Sequence, residues 1–405
     1  MDFADTGLNP AGQWAASARG YVTPTAVQLA AIPAILAGRD VWACAQTGSG
    51  KTAAFALPII ERCATRAAGE PLQALILVPT RELAAQVGAA CEEYARFAPR
   101  RMKVLTVFGG VSINPQMMVL RGGADILIAT PGRLLDLLAH NALRLHALST
   151  LVLDEADRLF ELGFADELAR VLAALPVKRQ NLLFSATFPA AVHTLAEQLL
   201  QDPLRIDVPE SAETTPRIEQ RAIQVDKARR TQLLRHLVER HGWLRTLVFT
   251  ATRYSTEHVA EKLRRAGLKA SALHGDLSQG ARMDALADFR AGRLQVLVAT
   301  DLAGRGIDIV DLPAVVNYDL PRSTDDYLHR IGRTGRAGAA GVAVSFVTLE
   351  GAAHFRLIEK RQSLTLAREV IPGFEPDETA PLPVAGNGGI KGKRKSKKDR
   401  LREAR

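Results

Sequence analysis

Val41-Trp42-Ala43-Cys44-Ala45-Gln46-Thr47-Gly48-Ser49-Gly50-Lys51-Thr52 is a short apolar strand pattern that breaks into a run of small residues and ends on a lysine and a threonine. The helical pattern 53–61 follows directly. From Ala45 onward the run fits A-x-x-G-x-G-K-T, a phosphate loop with alanine at its first position. Small residues let the backbone curl until its N–H groups face phosphate oxygens. Lys51 then reaches the outer phosphates and the Thr52 hydroxyl is offered to magnesium. A glycine-rich turn that merely caps the next helix would not account for the Lys51-Thr52 pair.

A phosphate loop needs an acidic partner on a neighbouring strand end. Asp154-Glu155 stands directly after the apolar run Leu151-Val152-Leu153, which puts Asp154 on the magnesium shell and Glu155 on the attacking water. Either acid can also cap the helix that starts near Ala156. Around these two motifs, short apolar runs alternate with longer helical patterns, the form of an α/β protein with mostly parallel sheets covered by helices. Strands are expected at 41–45, 75–78, 104–108, 126–129, 151–153 and 181–184. A second series follows at 246–249, 270–273, 296–299, 314–318 and 343–347, with no phosphate loop of its own. Two similar sheets sharing one loop imply nucleotide bound between two domains. The boundaries read as a nucleotide-binding domain over 1–206, a linker over 207–216, a second domain over 217–372 and a basic tail over 373–405.

With 405 residues and 47% hydrophobic composition the chain is long enough for two cores. Its apolar runs are far shorter than the roughly 20 residues of a membrane span, so no membrane segment is expected. The first residues lack the basic and apolar regions of a secretion signal, which points to a cytoplasmic setting. Three separated cysteines, Cys44, Cys63 and Cys91, suggest neither disulfides nor zinc. The net charge of +9 is concentrated at the end. Nine basic residues against Asp399 and Glu403 place +7 within 391–405 and leave +2 for the rest.

At Asp154-Glu155-Ala156-Asp157 the chain resembles the DEAD-box RNA helicases, and the resemblance runs from residue 3 to about 350. The stretch from His274-Gly275 through Ser278-Gln279-Gly280-Ala281-Arg282 to Ala287-Asp288-Phe289 looks most like the bacterial RhlE-type branch. The resemblance implies two tandem RecA-like domains, ATP and Mg2+ as cofactors, and RNA as partner. It also implies an adenine-recognition segment, in which Gln28 bonds the base edge and Phe3 stacks nearby; Gln46, Thr47, Gly48, Ser49, Gly50, Lys51 and Thr52 take the phosphates. The family has proline where Ala26 stands. RNA-facing roles fall on Thr80, Arg81, Gly110, Thr130, Arg133, Gln279, Arg282 and Thr300.

Coupling of hydrolysis to strand separation is implied for Ser185-Ala186-Thr187, for Arg305, and for His329 and Arg330. Asp301 and Asp308 would sense nucleotide at the closed interface. In His329-Arg330-Ile331-Gly332-Arg333-Thr334-Gly335-Arg336, Arg333 and Arg336 are the expected fingers that neutralise the transferring phosphate from across the cleft, joining Lys51 and Glu155 as catalytic residues. Alanine is usual in the family where Gly304 stands.

These expectations describe an enzyme that separates or remodels RNA duplexes locally as it hydrolyses ATP, with little base-sequence preference, on ribosomal or RNA-decay assemblies. A DNA translocase with the same core, or an ATP-gated RNA clamp, would use the same motifs. The tail allows a direct test. Its Gly/Lys composition leaves little apolar surface to bury and no fixed geometry for reading bases. Deleting 386–405 should leave RNA-free ATP turnover intact and flatten the fall of RNA affinity with salt, because each lost phosphate contact removes released counterions. Titrations of both proteins across several salt concentrations measure this, and equal slopes would make the tail a bystander.

Overall fold

The computed structural model describes residues 2–46, 48–67, 69–208, 218–304, 312–335 and 341–377. The first sheet comprises β1 (Val41–Cys44), β2 (Ala74–Leu77), β3 (Val104–Val107), β4 (Ile126–Ala129), β5 (Thr150–Leu153), β6 (Gln180–Ser185) and β7 (Leu204–Asp207). The second comprises β8 (Ile218–Gln224), β9 (Thr246–Thr250), β10 (Ala270–Leu273), β11 (Val296–Thr300), β12 (Ala314–Asn317), β13 (Gly341–Val347) and β14 (Arg368–Glu369). Strand order is β3-β4-β2-β5-β6-β1-β7 in the first and β10-β11-β9-β12-β13-β8-β14 in the second. Counted from each sheet's own first strand, the two orders are the same permutation. Every strand pairing among the described residues is parallel.

Two-sided burial explains why these strands read as continuous apolar runs rather than alternating ones. Ile76 and Val78 join the core on one face of the first sheet, while Leu75 and Leu77 join the core on the other. The second sheet divides Val296 and Val298 from Leu297 and Ala299 in the same way. No helix among the described residues is long and apolar enough to cross a membrane.

The structure adds strands that the apolar pattern did not suggest. β7 occupies residues read as the approach to the linker, and pairs with β1 from Val41↔Leu204 to Cys44↔Asp207. β8 is a partly exposed strand carrying Glu219, Gln220 and Arg221, held in register along the whole of β13. The second domain also continues past its expected end at 372. Phe374 packs against the core, under the Arg229 guanidinium at 5.2 Å, and the Asp377 N–H donates to Asp226. Residues 209–217 and the basic stretch 391–405 lie outside the described residues.

A buried carboxylate ties the amino edge of the first sheet. Asp40 accepts the backbone N–H groups of Asn181 at 2.7 Å and Gln201 at 2.8 Å, joining the starts of β1 and β6 to the segment entering β7. Asp40→Ala would strand both donors in the interior, at a cost of about 2–3 kcal/mol. The denaturant midpoint of unfolding should fall accordingly, and an unchanged midpoint would contradict the role.

Candidate functional site

Parallel sheets gather the loops that follow their strands along one edge, where open α/β sheets take ligands. At that edge β1 runs into the phosphate loop. Gly48 and Gly50 take φ of 86° and 89°, a left-handed backbone that side chains disfavour. At Gly50 a side chain would also start inside the Gln28 amide. Gly50 forms the N-cap of the helix Lys51–Ala64, leaving that helix's first N–H groups facing the loop. The buried Lys51 ammonium donates to the Ala45 carbonyl at 2.7 Å, and the Ser49 hydroxyl donates to the Gln46 carbonyl at 2.7 Å. Thr52 sits in the first turn. Thr47 lies outside the described residues.

Gln28 is built into this loop as well as into its own helix. Its Oε1 accepts the Thr25 N–H at 2.9 Å and its Nε2 donates to the Gly50 carbonyl at 3.1 Å. Thr25 supports the same loop by donating its hydroxyl to the Ser49 carbonyl at 2.8 Å. Those contacts give the helix Ala26–Leu36 a defined entry without the family's proline. An amide has two donors and two lone pairs, so Gln28 keeps one of each for a base edge. Phe3 is buried, its ring 6.5 Å from Tyr21 and nearly parallel to it, so it supports Tyr21 from within the core.

The acidic pair follows β5. Burial pushes the Asp154 carboxyl up to about 6, opposed by the positive charge of Lys51. The two groups therefore feel one another across the loop. Glu155 holds a left-handed backbone at φ 50°, rare outside glycine and asparagine and a form of strain found at functional positions. Its nearest cation is the Arg158 Nη1 at 3.6 Å, too far for a hydrogen bond, and Glu155 Oε2 is buried without a hydrogen-bond partner. Asp157 links this segment to the end of β6. Its N–H donates to the Ser185 hydroxyl at 3.0 Å, and its Oδ2 accepts both the N–H and the hydroxyl of Thr187 at 2.9 Å.

On the second sheet Arg330 is engaged on every side of its guanidinium. It forks onto Asp301 at 2.6 and 2.8 Å, donates to Asn317 Oδ1 and the Asp319 carbonyl, and lies over the Phe249 ring at 4.9 Å. It positions Asp301 rather than reaching outward. The same ring explains Gly304: a Cβ there would meet Phe249 Cε1 at 2.6 Å, so alanine would displace the ring that Arg330 covers. Arg333 is buried just past the helix Thr324–Ile331, whose last turn holds His329. Arg305, Asp308 and Arg336 lie outside the described residues.

The loops expected to face RNA form a cationic cluster. Thr80 caps the helix Arg81–Ala95 through the Leu83 N–H, and the Thr130 hydroxyl accepts the Gly109 N–H at 3.4 Å. The Arg81 guanidinium crosses the space that a side chain on Gly110 would need. Burial, with the nearby Arg282 and Arg133 charges, lowers the Arg81 pKa despite Glu82 beside it. Arg133 donates to the Val111 carbonyl at 2.7 Å, while its Nε and Nη1 are buried without hydrogen-bond partners. Thr300 ends β11 opposite Thr250, and both polar atoms of the Gln279 amide are likewise buried and unpartnered.

The Arg282 guanidinium, expected at the RNA backbone, is buried against Glu82 of the other sheet, with Nε–Oε1 at 2.8 Å and Nη2 closer still. Its Nη1 donates to the His274 carbonyl at 3.2 Å. Sequence reasoning passed over Glu82 because an acid in the first turn of a helix is explained by the helix dipole alone. Asp157 was missed as a bridge for a similar reason: nothing local predicts that Thr187 lies beside it.

Comparison with known proteins agrees with this geometry. Residues 25–195 match the DEAD/DEAH box helicase family and residues 229–338 match the helicase conserved C-terminal domain. The chain is 41% identical to the ATP-dependent RNA helicase DeaD of Mycobacterium tuberculosis over 93% of its own length, and spans 66% of that relative, just under two thirds. It is also 41% identical to the ATP-dependent RNA helicase DbpA of Escherichia coli, covering 92% of this chain and 82% of that one. The structure of S. cerevisiae Dbp5 bound to RNA and ADP BeF3 superposes with a TM-score of 0.77 at 32% identity, over 91% of this chain and 95% of that one. With two sheets of one strand order, a phosphate loop on the first alone and these relatives across both, the chain belongs to the DEAD-box helicase family.

Proposed function

We propose that this protein is an ATP-dependent RNA helicase that locally separates or remodels RNA duplexes, with hydrolysis of ATP to ADP and phosphate stimulated by RNA. The observation that carries the reading is the buried Glu82–Arg282 pair, which joins the loops of the two sheets beside the Arg81 and Arg133 cluster. A strand of phosphates laid along that edge would touch both domains at once. Backbone contact of this kind positions RNA without reading its sequence. The Arg133 N–H groups that lack hydrogen-bond partners, and the Gln279 amide, support this reading as donors to such phosphates.

The donor set at the phosphate loop suits magnesium: the Thr52 hydroxyl and the buried Asp154 carboxyl are hard oxygen ligands, and a cation there would relieve the burial that holds Asp154 up. Bound magnesium would neutralise phosphate charge. The chain's own residues do the remaining work. Lys51 exchanges the Ala45 carbonyl for the outer phosphates, and Gln28 offers its spare donor and lone pair to the adenine edge. Glu155 accepts a proton from the attacking water, and Arg333 with Arg336 supplies positive charge from the second domain. Asp157 transmits displacement at Glu155 to Ser185 and Thr187, and Asp301, Asp308, Arg305, His329 and Arg330 form the nucleotide-sensing side of the closed interface.

The run from His274 to Phe289 is the basis for proposing the RhlE-type branch, whereas the relatives compared are DeaD and DbpA proteins. The proposed setting is the cytoplasm, on ribosomal or RNA-decay assemblies. ATP turnover with and without RNA, followed by duplex release with ATP and with a nonhydrolysable analogue, tests the activity. Turnover indifferent to RNA would sink it.

Two substitutions separate roles within the phosphate site. Lys51→Ala and Glu155→Gln should each lower ATP turnover by about 100-fold or more, since each removes charge or proton acceptance needed in the transition state. Glu155→Gln keeps the phosphate ligands and should retain ATP-dependent RNA binding, whereas Lys51→Ala should lose it. Equal loss of nucleotide affinity in both, measured with a labelled nucleotide, would contradict the division.

A further inference from the structure

The first two turns of the helix Arg253–Arg265 present two aromatic rings to solvent. Tyr254 is 78% exposed, and His258 one turn later is exposed beside it. Their rings lie 11° from parallel with centroids 5.7 Å apart. Core packing does not explain them, because this helix buries Thr256, Val259, Ala260 and Leu263 on its inner side. The stack leaves the outer faces of both rings bare.

The position of this pair is informative. Thr252 caps the helix immediately after β9, so the turn stands at the same carboxyl edge as the other loops. Arg253 pairs with Asp276 at 2.6 Å, both side chains more than half exposed. Asp276 belongs to the loop whose His274 carbonyl accepts from Arg282, and Arg282 holds Glu82. A line therefore runs from the cationic cluster of the first domain, through the buried pair, to Arg253 and Tyr254. An exposed ion pair contributes little to stability, so Arg253 can exchange Asp276 for a phosphate at little cost.

We propose that Tyr254, backed by His258, is a stacking platform for one unpaired RNA base, with Arg253 taking the adjacent phosphate. This rests on the helicase reading and adds a contact to a base, where the other RNA-facing groups meet the backbone. A small stacked pair among the exposed polar residues Thr252, Arg253 and Glu257 suits a nucleotide, which brings a flat base and a charged phosphate, better than a protein partner, which would want a broader apolar surface. Stacking accepts any base, since all have a π face. It requires that the base be out of a duplex, so the platform favours a strand already pried open.

The test uses the full-length protein with a nonhydrolysable ATP analogue, a labelled single-stranded oligonucleotide and a blunt duplex of the same sequence. Tyr254→Leu keeps apolar bulk and removes the π face; Tyr254→Trp keeps the face. Leucine should weaken single-strand binding by about 5- to 50-fold, with a smaller effect on the duplex, and tryptophan should restore it. The slope of affinity against salt should stay that of the wild type, because no charge is lost. Single-strand affinity unchanged by leucine, or equal loss with leucine and tryptophan, would overturn the platform while leaving the helicase reading in place. Wild-type protein that binds neither RNA would overturn the helicase reading itself.

Discussion

A buried ion pair is stabilising only when its geometry is held and its remaining hydrogen bonds are met; a lone buried member is costly. Glu82 and Arg282 satisfy that condition because each sits in the first turn of a helix on its own sheet, and because Arg282 also finds the His274 carbonyl. Among the described residues, neither forms a second ion pair. The pair therefore fixes how the two carboxyl edges face each other, and everything proposed to act across the cleft depends on that registration.

Duplicate topology supplies the rest of the arrangement. Because the two sheets repeat one strand order, their loops arrive at the edge in the same sequence of positions: Asp301 follows β11, the counterpart of β4, and Arg333 follows the helix after β12, the counterpart of the strand that carries the acidic pair. Only the first edge carries glycine-bearing phosphate machinery. Each functional segment is in turn braced by a neighbour: Gln28 by the phosphate loop, Asp157 by Thr187, Asp301 by Arg330. Such cross-bracing lets a change at one phosphate be felt several residues away, since packed groups shift between discrete arrangements rather than deform smoothly.

Much of this was legible in the sequence. Continuous apolar strands, the phosphate loop and the acidic pair declare themselves locally, through residue type and spacing. β7 and β8 did not, because they owe their conformation to parallel partners rather than to their own half-polar residues. The partner of Arg282 was hidden for a related reason. An arginine at a loop edge looks like a phosphate contact until the fold brings an acid from 200 residues away. Gly304 stood out in the sequence only as a departure from the family's alanine, and became intelligible with the Phe249 ring against it. Pairings between distant segments carry no local mark, whereas chemistry placed on one strand end does.

On the proposed function, RNA and ATP are coupled through closure registered by the Glu82–Arg282 pair. A charge-swap cycle measures it most directly, with RNA-stimulated ATP turnover determined for Glu82→Arg, Arg282→Glu and the double variant. Each single change, which sets like charges against each other, should lower RNA-stimulated turnover by roughly tenfold or more, and the double variant should recover a substantial part of the loss. Single variants that turn over ATP like the wild type, or a double variant no better than the worse single one, would contradict it.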